Sequence, residues 1–323
     1  MSVREENIEQ TQSSQHLECR LTVVIPVYNR AERIVATLQS VKSQTLRPLK
    51  VVLVDNNSTD NTLSVLNQWR ESVADDGIVV KVVEEKVSGA AAARNRGLQE
   101  VTTPLTMFFD SDDIMAPDHC QRAVEAFRRY CDADIVGWDC WLNPIGKSRE
   151  KLRFADKDVA WNNLFFGSLA TQRYVAKTEL FRRCGGWNPQ CRGWDDAEIG
   201  LRLLSLSPTI VKLSGSPTVD VIQTEDSITG QRFADKPQTW ETALELMEAA
   251  AKGNRRLCRA INFRRALLAG DYRREGATAD SCRLSKVALD KECVLFYRLL
   301  YRLAVAYRGI GLPGISRLLR PFF

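Results

Sequence analysis

Between positions 21 and 110 the chain alternates short apolar runs with segments of helical periodicity. Leu21-Thr22-Val23-Val24-Ile25-Pro26-Val27-Tyr28-Asn29 is a β-branched run ending in turn residues, which predicts a buried strand. Leu49 to Asn57, Ile78 to Val83 and Leu105 to Asp110 repeat the pattern. Between these runs, Ile34, Leu38 and Val41 recur at helical spacing and Leu63, Leu66 and Trp69 mark one helical face. Residues 89–99 are rich in Ala and Arg and also predict a helix. Such alternation predicts an α/β fold, a mostly parallel Rossmann-like sheet with helices on both faces. Ligands of such sheets gather at the carboxyl ends of the strands. The polar punctuation stands at those ends: Tyr28-Asn29, Asp55-Asn56-Asn57-Ser58, Ser88-Gly89 and Asp110 to Asp113.

Further on, Asp134 to Trp141 reads as another strand, and 156–190 is less regular, with several aromatics and a Gly185-Gly186 turn. Asp195, Asp196 and Glu198 then open a helical pattern over Ile199 to Leu206, where the helix dipole alone is reason enough for acids. Residues 240–309 predict a helical, basic region.

Composition narrows the choices. A chain of 323 residues with 44% hydrophobic and 26% charged residues is an ordinary globular protein of about two domains, or one with an appendage. Nine scattered cysteines without a Cys-x-x-Cys pair read as reduced thiols in a cytosolic protein. Two histidines, His16 and His119, argue against a His-based metal site or a Ser-His-Asp triad. Residues 1–18 are polar and carry no signal peptide, and no run of 18 apolar residues occurs. Charge is uneven: 250–323 holds 16 Lys and Arg against 5 Asp and Glu, although the whole chain is only +5. A basic tail on an acidic body predicts contact with something anionic.

Met107-Phe108-Phe109 runs into Asp110-Ser111-Asp112-Asp113. Alternation along a strand puts Asp110 and Asp112 on one side, with Asp113 a step further round. Mg²⁺ or Mn²⁺ suits such oxygens and shares its shell with substrate phosphates; a solvated acidic turn is the plainer reading. No Gly-x-Gly-x-x-Gly follows a predicted strand and no full Gly-x-x-x-x-Gly-Lys-Ser/Thr occurs, which weakens dehydrogenase and ATPase readings. An acidic cluster, a polar pocket and a second pair of acids downstream suit transfer from a nucleotide-activated donor. The metal stabilises a departing diphosphate, and a remote Asp takes a proton from the incoming hydroxyl.

Over about residues 20–230 the chain resembles a family 2 inverting glycosyltransferase of the GT-A fold. The resemblance is carried, in the family's order, by Ile25-Pro26-Val27-Tyr28-Asn29, Val54 to Asp60, Gly89 with Ala93-Arg94-Asn95, Phe109 to Asp113, Gly185-Gly186-Trp187-Asn188, and Trp194 to Arg202. It implies that Pro26, Tyr28 and Asn29 line the nucleotide pocket, that Asp55 and Asn56 face base and ribose, and that Arg94 lies near base or diphosphate. Asp110 and Ser111 would meet the ribose or donor sugar, Asp112 would ligate the metal, and Asp113 would be a second ligand or a sugar contact. Asp196 matches the catalytic base, Asp195 would orient the acceptor, and Trp187 and Trp194 would stack on a sugar or pack at a seam. Two departures stand out: Asn56 replaces the second of two adjacent acids, and Thr224 stands where some members carry a metal-ligating His, with Glu225 or Asp226 as substitutes.

The implied organisation is a polar leader (1–18), a GT-A domain (19–235) with its nucleotide-sugar half at about 19–115 and its acceptor half at about 116–235, and a helical basic region (236–323). The implied activity is metal-dependent transfer from a nucleotide-diphosphate sugar to a saccharide or lipid-linked saccharide in envelope polysaccharide assembly, on the cytoplasmic side. Cys293 to Tyr307 sets leucines beside Arg298 and Arg302 and reads equally as a helix on an anionic membrane surface or one packed on the body. No nucleic-acid motif is present. The rival readings are a nucleotidyltransferase and a non-catalytic module that holds a nucleotide sugar or a membrane patch.

Overall fold

In a computed structural model, residues 19–224 and 232–323 are described. The leader with His16 and the substitute acids Glu225 and Asp226 lie outside them.

The first half runs β1 (Leu21–Val27), α1 (Ile34–Lys42), β2 (Leu49–Asp55), α2 (Thr62–Ser72), β3 (Ile78–Glu84), α3 (Ala90–Gln99) and β4 (Leu105–Phe108). β1 pairs in parallel with β2 and β4, and β2 in parallel with β3. Central β1 is almost wholly buried, as its unbroken β-branched run requires when both faces are covered. After β4 come β5 (Ile114–Met115), α4 (His119–Arg129), β6 (Ile135–Gly137), β7 (Cys140–Asn143), β8 (Glu150–Leu152) and α5 (Val159–Phe166). Next are a 3₁₀ turn (Thr171–Arg173), β9 (Tyr174–Lys177), α6 (Thr178–Arg183), α7 (Asp195–Ser205), β10 (Ile210–Lys212) and β11 (Val219–Ile222). The remaining helices are α8 (Pro237–Ala250), α9 (Arg255–Arg274), α10 (Thr278–Asp290), α11 (Leu295–Gly309) and α12 (Ile315–Leu319).

The large sheet has seven strands in the order β10-β6-β9-β4-β1-β2-β3, and within it β9 runs against both neighbours. A smaller sheet, β5-β11-β7-β8, stands beside it. The strand expected over Asp134 to Trp141 is therefore two strands in two sheets. Backbone N–H of Trp138 donates to the Arg173 carbonyl at 3.1 Å, and Asp139 accepts Phe154 N–H at 2.8 Å, so the chain turns out of the first sheet. At the crossover a Cβ on Gly137 would come within 2.2 Å of the Phe154 ring, which leaves room only for glycine.

Two apolar cores cover the faces of the large sheet. A third joins Trp161 and Leu164 of α5 and Ala197 and Leu201 of α7 to α8, α9 and α11. Because α7 opens with Asp195 and Asp196, the helical layer braces the element that carries them.

Candidate active site at the strand ends

Three loops meet at the carboxyl ends of β1, β2 and β3, tied by short polar bonds. Asn29, in the left-handed region at φ 49°, receives Thr59 N–H on Oδ1 at 2.8 Å, and its own N–H donates to Ser58 Oγ at 3.0 Å. The Asn56 amide donates to the carbonyls of Glu85 (3.0 Å) and Val87 (2.8 Å) and accepts Gly89 N–H (2.8 Å). Its hydrogen-bonding capacity toward the loop is thus spent on the chain itself. Asn56, expected to face a base or ribose, latches loop 85–89 and keeps one lone pair on Oδ1 beyond those bonds. Asp55 differs. Oδ2 accepts Ser58 N–H at 3.0 Å, whereas Oδ1 is buried without a partner. Tyr28 is 56% exposed at the rim, and Pro26 is half-buried beneath it.

The acids after β4 divide. Asp110 accepts Arg94 Nη2 at 2.9 Å and Gln172 Nε2 at 3.2 Å. Asp112 is half-exposed, 3.9 Å from Arg30, and its pKa is raised by burial and by Asp110. Asp113 points inward: one oxygen accepts Ile222 N–H at 2.8 Å and the other meets Gln172 Nε2. Burial, then Asp110, raises its pKa well above the usual carboxylate range. With one bond to each oxygen, Asp113 braces β4 against β11. Ser111 is buried in the turn between them.

Arg94, on α3, joins this cluster to the next. Nη1 donates to Asp195 at 2.8 Å while Nη2 holds Asp110, so one buried guanidinium spans both acidic groups. Burial works against its charge, but Asp110 and Asp195 outweigh it and its pKa is raised. The ring of Trp187 lies 4.4 Å below the guanidinium. Trp187 is 2% exposed and meets Phe108 edge-on at 5.3 Å, the packing arrangement of the two alternatives open to it. Trp194 lies under Arg264 at 3.9 Å and against Trp240 at 5.1 Å, at the seam with the C-terminal helices.

Asp196 is half-buried beside this network and accepts the Thr171 hydroxyl. Burial first, then the Asp195 charge, pushes its pKa up to about 7, against the opposing pull of Arg94. Thr171 and Gln172 are adjacent, so the turn before β9 touches Asp196 through one residue and Asp110 and Asp113 through the other. No motif announces these two residues; their contacts span 25 to 62 positions.

The other motif residues hold the frame. Asn95 exchanges two 2.8 Å bonds with the Trp187 backbone, and a Cβ on Gly186 would stand 2.6 Å from Asn95 Oδ1. Glu198 binds Arg202 through both oxygens at 2.7 Å, and Arg202 in turn holds the carbonyls of Cys184 and Gly186 at 2.6 Å.

Residues 22–186, half of the chain, match the family described as Glycosyl transferase family 2. The chain belongs to that family. Among curated relatives, glycosyltransferase AglE of Haloferax volcanii is 32% identical over 167 residues, 50% of this chain and 52% of that protein. TuaG of Bacillus subtilis, a glycosyltransferase assigned to teichuronic acid biosynthesis, is 34% identical over 153 residues, 46% of this chain and 60% of its own. The chain spans about half the length of the curated relatives it matches. Among solved structures, Staphylococcus aureus TarS 1-349 in complex with UDP-GlcNAc superposes with a TM-score of 0.65 at 15% identity, over 94% of this chain and 92% of that one. That likeness carries the GT-A fold of this family 2 chain. The family match stops before Asp195 and Asp196, so the case for those acids rests on geometry.

Proposed function

We propose that the protein moves a sugar, with inversion, from a nucleoside diphosphate sugar to an acceptor hydroxyl. In this reading Asp196 removes the acceptor proton, the acceptor oxygen bonds to the anomeric carbon, and the carbon–phosphate-oxygen bond breaks with its electron pair leaving on the diphosphate. The observation that carries it is the pairing of Asp110 and Asp195 through Arg94, with Asp196 alongside at a pKa of about 7. A base poised near the working pH is the most effective one. Asp55, with its unpartnered buried oxygen, is suited to receive an N–H of the base, and Tyr28 and Pro26 to flank it.

Among the described residues no three His, Cys, Asp or Glu side chains gather closely enough to hold a metal by themselves. The donor set still fits Mg²⁺ or Mn²⁺ of the kind held by one protein carboxylate and substrate phosphates, because Asp112 is the acid after β4 with the fewest internal bonds. A cation bound there supplies charge neutralisation for the departing diphosphate. The relative assigned to teichuronic acid biosynthesis supports a saccharide or lipid-linked saccharide of the cell envelope as acceptor.

An anionic membrane surface is the second partner of this reading. No helix among the described residues is long and apolar enough to cross a membrane. Yet eight of the fourteen exposed large apolar side chains among the described residues lie in 295–322, with Leu295, Leu299 and Leu303 on one stripe of α11, and Arg302 and Arg317 in the same region are exposed. Such a face suits the headgroup boundary of an anionic bilayer.

The test is Asp196→Asn assayed with candidate nucleotide sugars and Mn²⁺. Transfer is expected to fall by at least about 100-fold while donor binding persists; transfer at the parent rate ends the assignment.

A further inference from the structure

A cavity of about 240 Å³ opens where α5, α9, α11 and α12 meet Trp194. Arg264 lines it together with Asp271, Arg308 and Ser316. Other buried or half-buried arginines have acceptors for part of their edge, while Arg94 Nε and Arg173 Nε and Nη2 are, like Arg264 Nε, buried without one. Arg94, Arg202 and Arg265 each meet a carboxylate at 2.7 to 2.9 Å, and Arg173 gives Nη1 to two carbonyls. Among the described residues Arg264 has no hydrogen-bond acceptor and no acid within ion-pair distance; its Nε is shut off from water without a partner. Its guanidinium lies over the Trp194 ring at 3.9 Å and near the Phe165 ring at 5.8 Å. Burial pulls its pKa down only to about 10, so it stays charged at neutral pH.

Stacking on an indole face uses the guanidinium plane and leaves its edge of N–H donors open, the geometry that receives a carboxylate or phosphate by two parallel bonds. The acid in the cavity wall does not fill that role. Asp271 is shared by Arg308 at 2.8 Å and Arg274 at 3.0 Å. Half-buried, with a closed-off Nε and no acid, the guanidinium gains most when an anion enters the cavity on its open edge. The position bears on the reaction too, because Trp194, held at φ 52°, directly precedes Asp195 and Asp196.

We propose that this cavity is an oxyanion subsite, seating a phosphate or carboxylate group of the acceptor beside the helix that carries Asp196. That the anion belongs to the acceptor rests on the transfer reading; that the cavity binds an oxyanion does not.

The experiment is calorimetric titration of the full chain with methyl phosphate and, separately, acetate at fixed ionic strength, repeated on Arg264→Gln and Arg264→Lys. The parent is expected to bind at least one probe, Arg264→Gln to bind it at least about tenfold more weakly, and Arg264→Lys to retain part of the affinity. Preference for methyl phosphate points to a phosphorylated acceptor, and preference for acetate to a uronate. No binding by the parent, or equal affinity in Arg264→Gln, overturns the subsite. Should Arg264→Gln fail to fold, Ser316→Glu supplies an acid in the cavity wall and is expected to abolish probe binding; unchanged binding there also overturns it. The titration needs no turnover, so an active Asp196→Asn enzyme would remove the transfer reading and leave this result standing.

Discussion

The strand-end loops and the C-terminal helices manage polar and apolar groups in opposite ways. At the ends of β1 to β3, Asn29, Asn56, Ser58 and Asp60 spend their side chains on neighbouring loops, leaving few groups for a ligand. In the helical layer, Leu299, Leu303 and Leu318 stand in water and Arg264 has a charge without an acid. A pocket rim built from internal latches is rigid before its ligand arrives, which lowers the entropy lost on binding. A layer with unpaired apolar and charged groups is fitted to meet something outside the chain.

Three variants sharpen or break that contrast. The largest effect is expected for Asn56→Ala, which frees Glu85 and Val87 carbonyls and the Gly89 N–H together. A loss of about 1–3 kcal/mol is expected in chemical denaturation, with faster hydrogen exchange at Gly89. Unchanged stability would mean the latch is ornamental. Arg94→Met is next: its charge holds the Asp196 pKa down against burial and Asp195. Removing it should move the acid limb of the rate profile, where the base becomes protonated, from about 7 to higher pH. A stationary limb would separate Arg94 from the base. The smallest effect on folding is expected for Leu299→Gln with Leu303→Gln, within about 0.5 kcal/mol because both side chains are exposed. Sedimentation with anionic vesicles at low salt should nonetheless drop, and undiminished pelleting would detach α11 from the membrane.

A related pH effect follows from Asp196 itself. Its folded pKa of about 7 lies above the ordinary carboxylate value of 3.8, so the folded state holds its proton longer than the unfolded chain. This carboxyl therefore contributes stability that is present below the lower value and is lost as pH rises through the upper one. The Tm of Asp196→Asn should exceed that of the parent at pH 8, and the gap should close toward pH 4; a constant gap contradicts the shift.

The first four strands were legible because each is a short, largely apolar run bounded by turn residues, β1 and β2 buried and β-branched throughout most of their length, which needs no tertiary knowledge. Leu105 to Phe109 and the acids after it could be located for the same reason. The small sheet was not, since its strands are two to four residues long and one was hidden inside the apparent run Asp134 to Trp141. Residue type leaves a choice open where one side chain has two uses. An Asn after a strand can meet a base or a backbone, and an aromatic after Gly-Gly can face sugar or core; Asn56 and Trp187 took the second course. Thr171, Gln172 and Arg264 carry no local signature, because their importance arises only from partners brought close by folding.

The tripeptide Thr171–Arg173 has one consequence for how ligands communicate. Its first residue bonds the proposed base and its second bonds two acids of the opposite cluster. The two flanks of the cleft are thus geared through a single peptide unit: whatever occupies one bank must load the other, and saturation by either substrate is expected to change the apparent affinity for its counterpart by a reciprocal factor.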